Sequence, residues 1–265
     1  MPRSPWQRRI ERARQLIEQH AFAREILGFY VHLARFQEQL HQELERIVPK
    51  QSSNVSPEGI CLEQLALLAS RFASFLSVVE KNGPQRLAEL ARELRAPGKN
   101  QWFEFLEEAW RVRSPSDARG LLAQAFLQPY AELLRSRASL PPAQGKYACC
   151  PFCRRKPSLG VLRQRSESAA RTLVCGFCTA EWDFRRLVCP GCGDENDKRL
   201  PVFTASDFDC IRIECCEACR TYIKTIDLTK NGLAEPLVDE LASAPLDLWA
   251  REQGYAKLHP NLLGM

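Results

Sequence analysis

The 265-residue chain contains no apolar run that approaches the ~20 residues of a membrane-spanning helix. Its opening residues, Met1-Pro2-Arg3-Ser4-Pro5-Trp6-Gln7-Arg8-Arg9-Ile10, lead into a charged helical pattern and not into an apolar stretch. Arg8-Arg9 therefore lacks the hydrophobic region that a twin-arginine export signal requires, and the expected location is cytoplasmic. No Ser/His/Asp array, phosphate loop or carboxylate pair stands out, so the usual signals of a hydrolase or transferase are missing and the chain reads as a non-enzyme. Histidine is scarce: the 4 residues His20, His32, His41 and His259 lie far from the cysteines in sequence. A lone helical histidine of this kind reads as a satisfied surface or core residue and not as a ligand.

Cysteine, by contrast, is abundant, with 12 residues. Eight form Cys-x-x-Cys knuckles: Cys150-Pro151-Phe152-Cys153, Cys175-Gly176-Phe177-Cys178, Cys189-Pro190-Gly191-Cys192 and Cys216-Glu217-Ala218-Cys219. Two residues between cysteines let a tight turn aim both sulfurs at one point, leaving backbone N–H groups free to hydrogen-bond the thiolates. Two knuckles together supply four sulfurs in a tetrahedron, which suits Zn²⁺ or a mononuclear iron. In a reducing compartment such cysteines read as metal ligands before disulfides. The third knuckle ends at Gly193, where glycine tolerates the positive φ of a turn exit; the first has Arg154 at that place.

Sequential pairing leaves 21 residues between Cys153 and Cys175 and 23 between Cys192 and Cys216, the signature of a tandem repeat. Each unit reads as knuckle, short hairpin segment, knuckle and closing strand. Arg171–Val174 and Ile211–Glu214 enter the second knuckles, and Glu181–Phe184 and Thr221–Ile226 leave them. The alternative joins Cys175 and Cys178 to Cys189 and Cys192, with the outer pairs closing on each other. Of the other cysteines, Cys61 is expected on a buried helix face. Cys149 and Cys215 each precede a knuckle cysteine, which leaves a one-residue ligand shift open, and Cys210 has no assigned role.

The composition, 45% hydrophobic and 26% charged, is that of a globular protein. Residues 1–140 read as a helical domain. Pro5 opens a helix after Ser4, a longer run spans Phe22 to Ile47, and Lys50–Asn54 is a loop. Ser56-Pro57-Glu58 starts the next helix, Asn82-Gly83-Pro84 separates two more, and Pro97-Gly98 precedes a short aromatic segment, Trp102–Phe105. Ser114-Pro115-Ser116-Asp117 opens the last helix, which Pro129 is expected to kink or split. Ala138–Lys146 reads as a linker. Residues 147–188 and 189–229 then form the first and second four-cysteine metal modules, and 230–265 is a C-terminal helical segment with a stop at Gly254. The fold class is α+β: an N-terminal helical bundle, two tandem rubredoxin-like or zinc-ribbon metal modules, and short C-terminal helices.

The formal charge of +5 falls to about +1 once two tetrathiolate sites with divalent ions are counted. That weakens a nucleic-acid-binding zinc-ribbon reading, the main alternative, as do the acids Asp194, Glu195, Asp197, Asp207, Asp209, Glu214 and Glu217. A dithiol oxidoreductase needs an accessible low-pKa thiolate in a βαβ setting, which none of the knuckles has. Arg154-Arg155-Lys156 with Arg163, Arg165 and Arg171 is the densest basic cluster. It reads as a solvated face screening thiolate charge, or as a dock for an acidic partner.

The knuckles and the segments after them resemble the formate dehydrogenase accessory protein family, FdhE. The residues that carry this are Cys150-Pro151-x-Cys153, Cys175-x-x-Cys178-Thr179-Ala180-Glu181-Trp182, Cys189-x-x-Cys192 and Cys216-x-x-Cys219-Arg220-Thr221-Tyr222-Ile223-Lys224. Asp239-Glu240-Leu241-Ala242, Leu246-Asp247 and Glu252-Gln253-Gly254-Tyr255 continue the pattern. The resemblance implies a cytoplasmic accessory factor for respiratory formate dehydrogenase that contacts its catalytic subunit and holds iron in rubredoxin-like sites. By carry-over, the ligands are Cys150, Cys153, Cys175, Cys178, Cys189, Cys192, Cys216 and Cys219. Spacing alone does not choose iron over zinc.

Overall fold

The structure is a computed structural model and describes residues 4–48, 62–96, 99–115, 117–138, 147–165 and 168–264. Cys61, the Lys50–Asn54 loop, the helix start at Ser56-Pro57-Glu58, the break at Pro97-Gly98 and linker residues 139–146 lie outside them. The chain divides into two compact units, residues 1–138 with 262–264, and residues 139–261.

The first unit is helical. Helix α1 (Pro5–Gln19) starts with a capping box: the Gln7 N–H donates to Ser4 Oγ at 3.1 Å and the Ser4 N–H to Gln7 Oε1 at 3.3 Å. Then come α2 (Arg24–Ile47), α3 (Leu62–Asn82), α4 (Gln85–Arg95), α5 (Lys99–Arg111) and α6 (Ala118–Arg137). The stretch read as a short aromatic segment is in fact a full helix. Trp102, Leu106, Ala109 and Trp110 recur at helical spacing and are buried, so tertiary packing extends what local sequence marks weakly.

Pro129 does not split α6, which runs unbroken through it. A helical proline leaves the carbonyl four residues earlier without its N–H partner. Here that carbonyl belongs to Ala125, and the buried Gln37 side chain from α2 donates to it at 2.6 Å and to Gln128 Oε1 at 3.0 Å. Around α6, Phe72, Phe75 and Phe126 form the core, with Phe72 and Phe126 ring centroids 4.9 Å apart. A buried two-pronged ion pair, Arg9 to Glu132 at 3.0 and 3.2 Å, ties α1 to α6.

The second unit holds one sheet. Its strands are β1 (Leu159–Arg165), β2 (Ser168–Val174), β3 (Glu181–Asp183), β4 (Val202–Thr204), β5 (Ile211–Cys216) and β6 (Thr221–Asp227). Helices α7 (Pro236–Ala242) and α8 (Ala244–Glu252) follow, and β7 (Ala256–Lys257) closes the unit. The order is β3-β2-β1-β6-β5-β4, with β7 also pairing β6. Each ribbon contributes three antiparallel strands, and the two ribbons join through a parallel β1–β6 ladder, Leu159 to Lys224 through Leu162 to Asp227. The two tandem modules thus share a sheet. Gly160 makes the join close, since a Cβ there would run into the Thr225 hydroxyl. Leu159, Val161, Val174, Ile211, Ile213, Cys215, Tyr222 and Ile226 from the strands bury with Leu246, Ala250 and Tyr255 from the C-terminal segment.

Candidate metal centres

All four knuckles use one backbone device. The residue after the second cysteine takes a left-handed conformation in each: Arg154 at φ 62°, Thr179 at 54°, Gly193 at 79° and Arg220 at 53°. In the first three knuckles its N–H returns to the carbonyl of the first cysteine, at 3.0 Å from Arg154 to Cys150, 3.0 Å from Thr179 to Cys175 and 2.9 Å from Gly193 to Cys189. The first-cysteine N–H in turn donates to the carbonyl five residues on, Arg155, Ala180 or Asp194, at 2.8–3.0 Å. This closed turn aims both sulfurs inward.

The sulfurs converge in two groups. Cys150, Cys153, Cys175 and Cys178 form one, Cys189, Cys192, Cys216 and Cys219 the other, and within each group all Sγ atoms lie within 4.8 Å. Pairing is sequential, not nested. Cys150–Cys178 and Cys153–Cys175 approach to 3.5 Å, and Cys189–Cys219 and Cys192–Cys216 to 3.7 Å. A tetrahedron with metal–sulfur bonds of about 2.3 Å has sulfur–sulfur edges of about 3.8 Å. The thiols are free, far outside the ~2.05 Å of a disulfide. Each group therefore fits a single tetrahedral ion and can hold one.

The thiol electrostatics agree with metal-ligand chemistry. Hydrogen bonds from Cys150, and then from Cys175 and Cys178, hold Cys153 far below the ordinary thiol range. Cys175 is raised by hydrogen bonding with Cys150 and Cys153, and Cys178 by burial. In the second group burial pushes Cys189 up to about 12 and also raises Cys216. Burial acts the same way on Cys219, but the Thr221 hydroxyl, 3.0 Å from its sulfur, and the Thr221 backbone outweigh it and bring it to about 7. Four thiols crowded together cannot all ionise alone, and a cation at the centre removes that conflict.

The two groups differ in cover. In the first, Cys150, Cys175 and Cys178 are 0% exposed and Cys153 8%, with Phe152 and Phe177 buried beside them. Arg155, itself buried, stacks its guanidinium 3.8 Å over the Phe177 ring. Ser158 Oγ accepts the Gly176 N–H at 3.0 Å, and Trp182 Nε1 donates to the Tyr147 carbonyl at 2.8 Å. In the second group Cys192 is exposed and Cys219 half-buried.

Neither Cys149 nor Cys215 joins a group. Cys215 points to the Ile211 and Ile213 side of β5, into the core, while Cys216 takes the opposite side. Burial pushes Cys215 up to about 12, so it behaves as a small apolar residue. Cys210 is in the same core, and Cys149 is half-buried outside the first group. No histidine belongs to either group; His259 is buried, with Nδ1 2.8 Å from the Pro260 carbonyl. The basic cluster disperses. Arg163 and Arg165 pair with Glu181 and Asp183 at 2.9 and 2.6 Å, and Arg155 and Arg171 are buried. Arg171 bridges the ribbons by donating to the Arg185 and Val188 carbonyls at 3.2 Å and pairing with Glu214 at 2.5 Å.

Tyr222 and Lys224, which a nucleic-acid-binding ribbon would present on an exposed face, are instead both buried and belong to a polar constellation. Lys224 on β6 is 0% exposed, and its Nζ donates to Asp247 Oδ2 and the Glu240 carbonyl at 2.6 Å and to Ser243 Oγ at 3.1 Å. Lys257 Nζ pairs with Glu240 and, at 2.9 Å, with Asp247. The Tyr222 hydroxyl donates to Asp247 at 2.8 Å and Asn261 Nδ2 to Glu240 at 2.9 Å. Two ammonium groups balance two carboxylates, clamping β6 to α7 and α8. Its local signal is a lysine placed between Tyr222 and Ile226, two residues from each, in a strand buried from Tyr222 to Asp227.

A helical unit followed by two zinc-ribbon-like modules on one sheet, each with a four-thiol group, defines a class of α+β protein able to hold two metal ions. Residues 149–186 match the family model "FdhE, central domain" and residues 188–263 match "FdhE, C-terminal domain". A curated relative, "Protein FdhE homolog" of Aquifex aeolicus, is 31% identical over 194 residues, covering 73% of this chain and 69% of that protein. The homolog of Pectobacterium atrosepticum is 28% identical over 98% of this chain and 87% of its own length. The crystal structure of the FdhE protein from Pseudomonas aeruginosa shares the fold, with a TM-score of 0.68 at 24% identity over 99% of this chain and 97% of that one. The chain belongs to the FdhE family.

Proposed function

We propose that this chain is a cytoplasmic accessory factor in the maturation of respiratory formate dehydrogenase. It binds the enzyme's catalytic subunit and carries two mononuclear metal ions, and it is not itself catalytic. The first ion is held by Cys150, Cys153, Cys175 and Cys178, the second by Cys189, Cys192, Cys216 and Cys219. Family resemblance favours iron; zinc satisfies the same thiolates. The observation that carries this reading is the presence of two tetrahedrally spaced thiol groups in a member of the FdhE family. Among the described residues no helix is long and apolar enough to cross a membrane, which is compatible with a factor that meets its client before export.

When bound, each metal supplies a cross-link between two knuckles and folding free energy, about 10–16 kcal/mol for structural zinc sites at neutral pH. The chain's own residues do the rest. The closed turns aim the sulfurs, Arg171 and the β1–β6 ladder fix one ribbon against the other, and the Lys224 clamp holds the C-terminal helices to the sheet. The product is a rigid surface, and rigidity lowers the cost of docking a partner.

Affinity capture from anaerobically grown cells tests the reading. Recovery of a formate dehydrogenase large subunit is the expected result. Nucleic acid recovered without that subunit would replace it with a ribbon that reads nucleic acid. Cys189→Ser with Cys192→Ser should lower both metal content and dehydrogenase activity.

A further inference from the structure

The repeat makes the two thiol groups comparable position by position. The third residue of each knuckle is Phe152 and Phe177 in the first group but Gly191 and Ala218 in the second. Both phenylalanines are 4% exposed, and Arg155 and Ser158 close over Phe177 and Gly176. In the second group Glu217, Ala218 and Gly193 are all exposed, as is Cys192 itself. Nothing aromatic stands at these knuckle positions. Gly191 packs tightly, since a Cβ there would lie 3.0 Å from Thr221 Oγ1 and 3.4 Å from Cys219 Sγ. The bare side is therefore a consequence of small residues and not of a loose turn.

From this difference we infer that the two centres divide their work: the first is a closed structural centre, and the second is an open exchange centre whose yielding ligand is Cys192. The ligand class it serves is a soft thiolate, from a partner protein or a small thiol, competing for the same ion. In such an exchange the incoming thiol gives up its proton and its sulfur takes the place of Cys192. Cys192 then gains a proton, and no electron moves. Access of the attacking group governs the rate of such substitutions, and the shell around a site governs access. The inference rests on the reading of both groups as metal sites.

The full chain is loaded with Zn²⁺ and its uptake measured before an excess of a chromophoric chelator is added. Uptake of fewer than two ions overturns the metal reading itself. With two bound, release should be biphasic, one equivalent leaving on the order of tenfold or more faster than the other. Ala218→Phe, which grafts the cover of Phe177 onto the matching position, should slow the fast phase only. In the unaltered protein, brief alkylation with iodoacetamide followed by peptide mass spectrometry should mark Cys192 before any cysteine of the first group. Release of both ions at one rate, or earlier alkylation of Cys150, Cys153, Cys175 or Cys178, overturns the division.

Discussion

Arg154, Thr179, Gly193 and Arg220 occupy one structural place in four turns, yet only one of them is glycine. A left-handed conformation costs a residue with a Cβ roughly 1–2 kcal/mol, and a β-branched residue is the worst case. Thr179→Gly should therefore stabilise the metal-loaded protein, by up to about 1 kcal/mol after glycine's own entropy cost, as a rise in melting temperature. Gly193→Val should do the reverse by roughly 1–2 kcal/mol; nothing lies within 4 Å of a Cβ there, so the loss is conformational and not steric. A second residue-scale argument concerns Lys224. Breaking a buried ion pair strands its partners, and Lys224→Met should cost about 3–5 kcal/mol in chemical denaturation. Adding Asp247→Leu should cost less than the sum of the two single changes, because the second removes the stranded charge. Burial pushes the Glu240 and Asp247 carboxyls up, but Lys224 and Lys257 outweigh it and hold both low. A carboxyl lowered on folding adds stability above its unfolded pKa, and that stability is lost as pH falls through the lowered value. Acid titration of the unaltered protein should accordingly lose stability below the ordinary carboxylate range, and Lys224→Met should flatten that loss.

At the scale of elements the decisive contact is the β1–β6 ladder, where Gly160 faces Thr225. Gly160→Val forces the strands apart and should destabilise the second unit by roughly 1–3 kcal/mol, an overpacking cost seen in thermal melting. Hydrogen exchange of Val161 and Ile226 should quicken together if the ladder itself has opened. The sequence made the thiol pairing legible, because the near-equal gaps repeat a local plan and each knuckle is a self-contained turn. It also marked β2, β3, β5 and β6 by their apolar and β-branched runs. The ladder left no such mark, since β1 and β6 are about sixty residues apart in sequence and their register follows from where two hairpins meet. That Pro129 leaves α6 unsplit is non-local for a related reason. The side chain that satisfies the freed Ala125 carbonyl comes from Gln37, 88 residues earlier than that carbonyl's residue. The Lys224 clamp is equally non-local, drawing on β6, α7, α8 and β7.

At the scale of the molecule, the helical unit and the sheet unit draw on different sources of stability. Phe72, Phe75 and Phe126 give the helical unit an aromatic core of its own, and no four-thiol group lies in its described residues. The sheet unit has a modest core and two four-thiol centres, and small ribbons depend on metal for folding free energy. Stripping metal with a strong chelator should therefore unfold residues 147–261 while residues 4–138 keep their helical signal and a separate thermal transition. Circular dichroism follows the helices, and hydrogen exchange resolves the two parts by segment. Because β1 and β6 join the ribbons, the strands on both sides of that ladder should lose protection in one step once the first centre is empty. Cys150→Ser with Cys153→Ser should reproduce this loss without a chelator. Retention of protected β5 and β6 in that variant would mean that the second ribbon stands alone, and that the shared ladder carries less of the sheet's stability than its register implies.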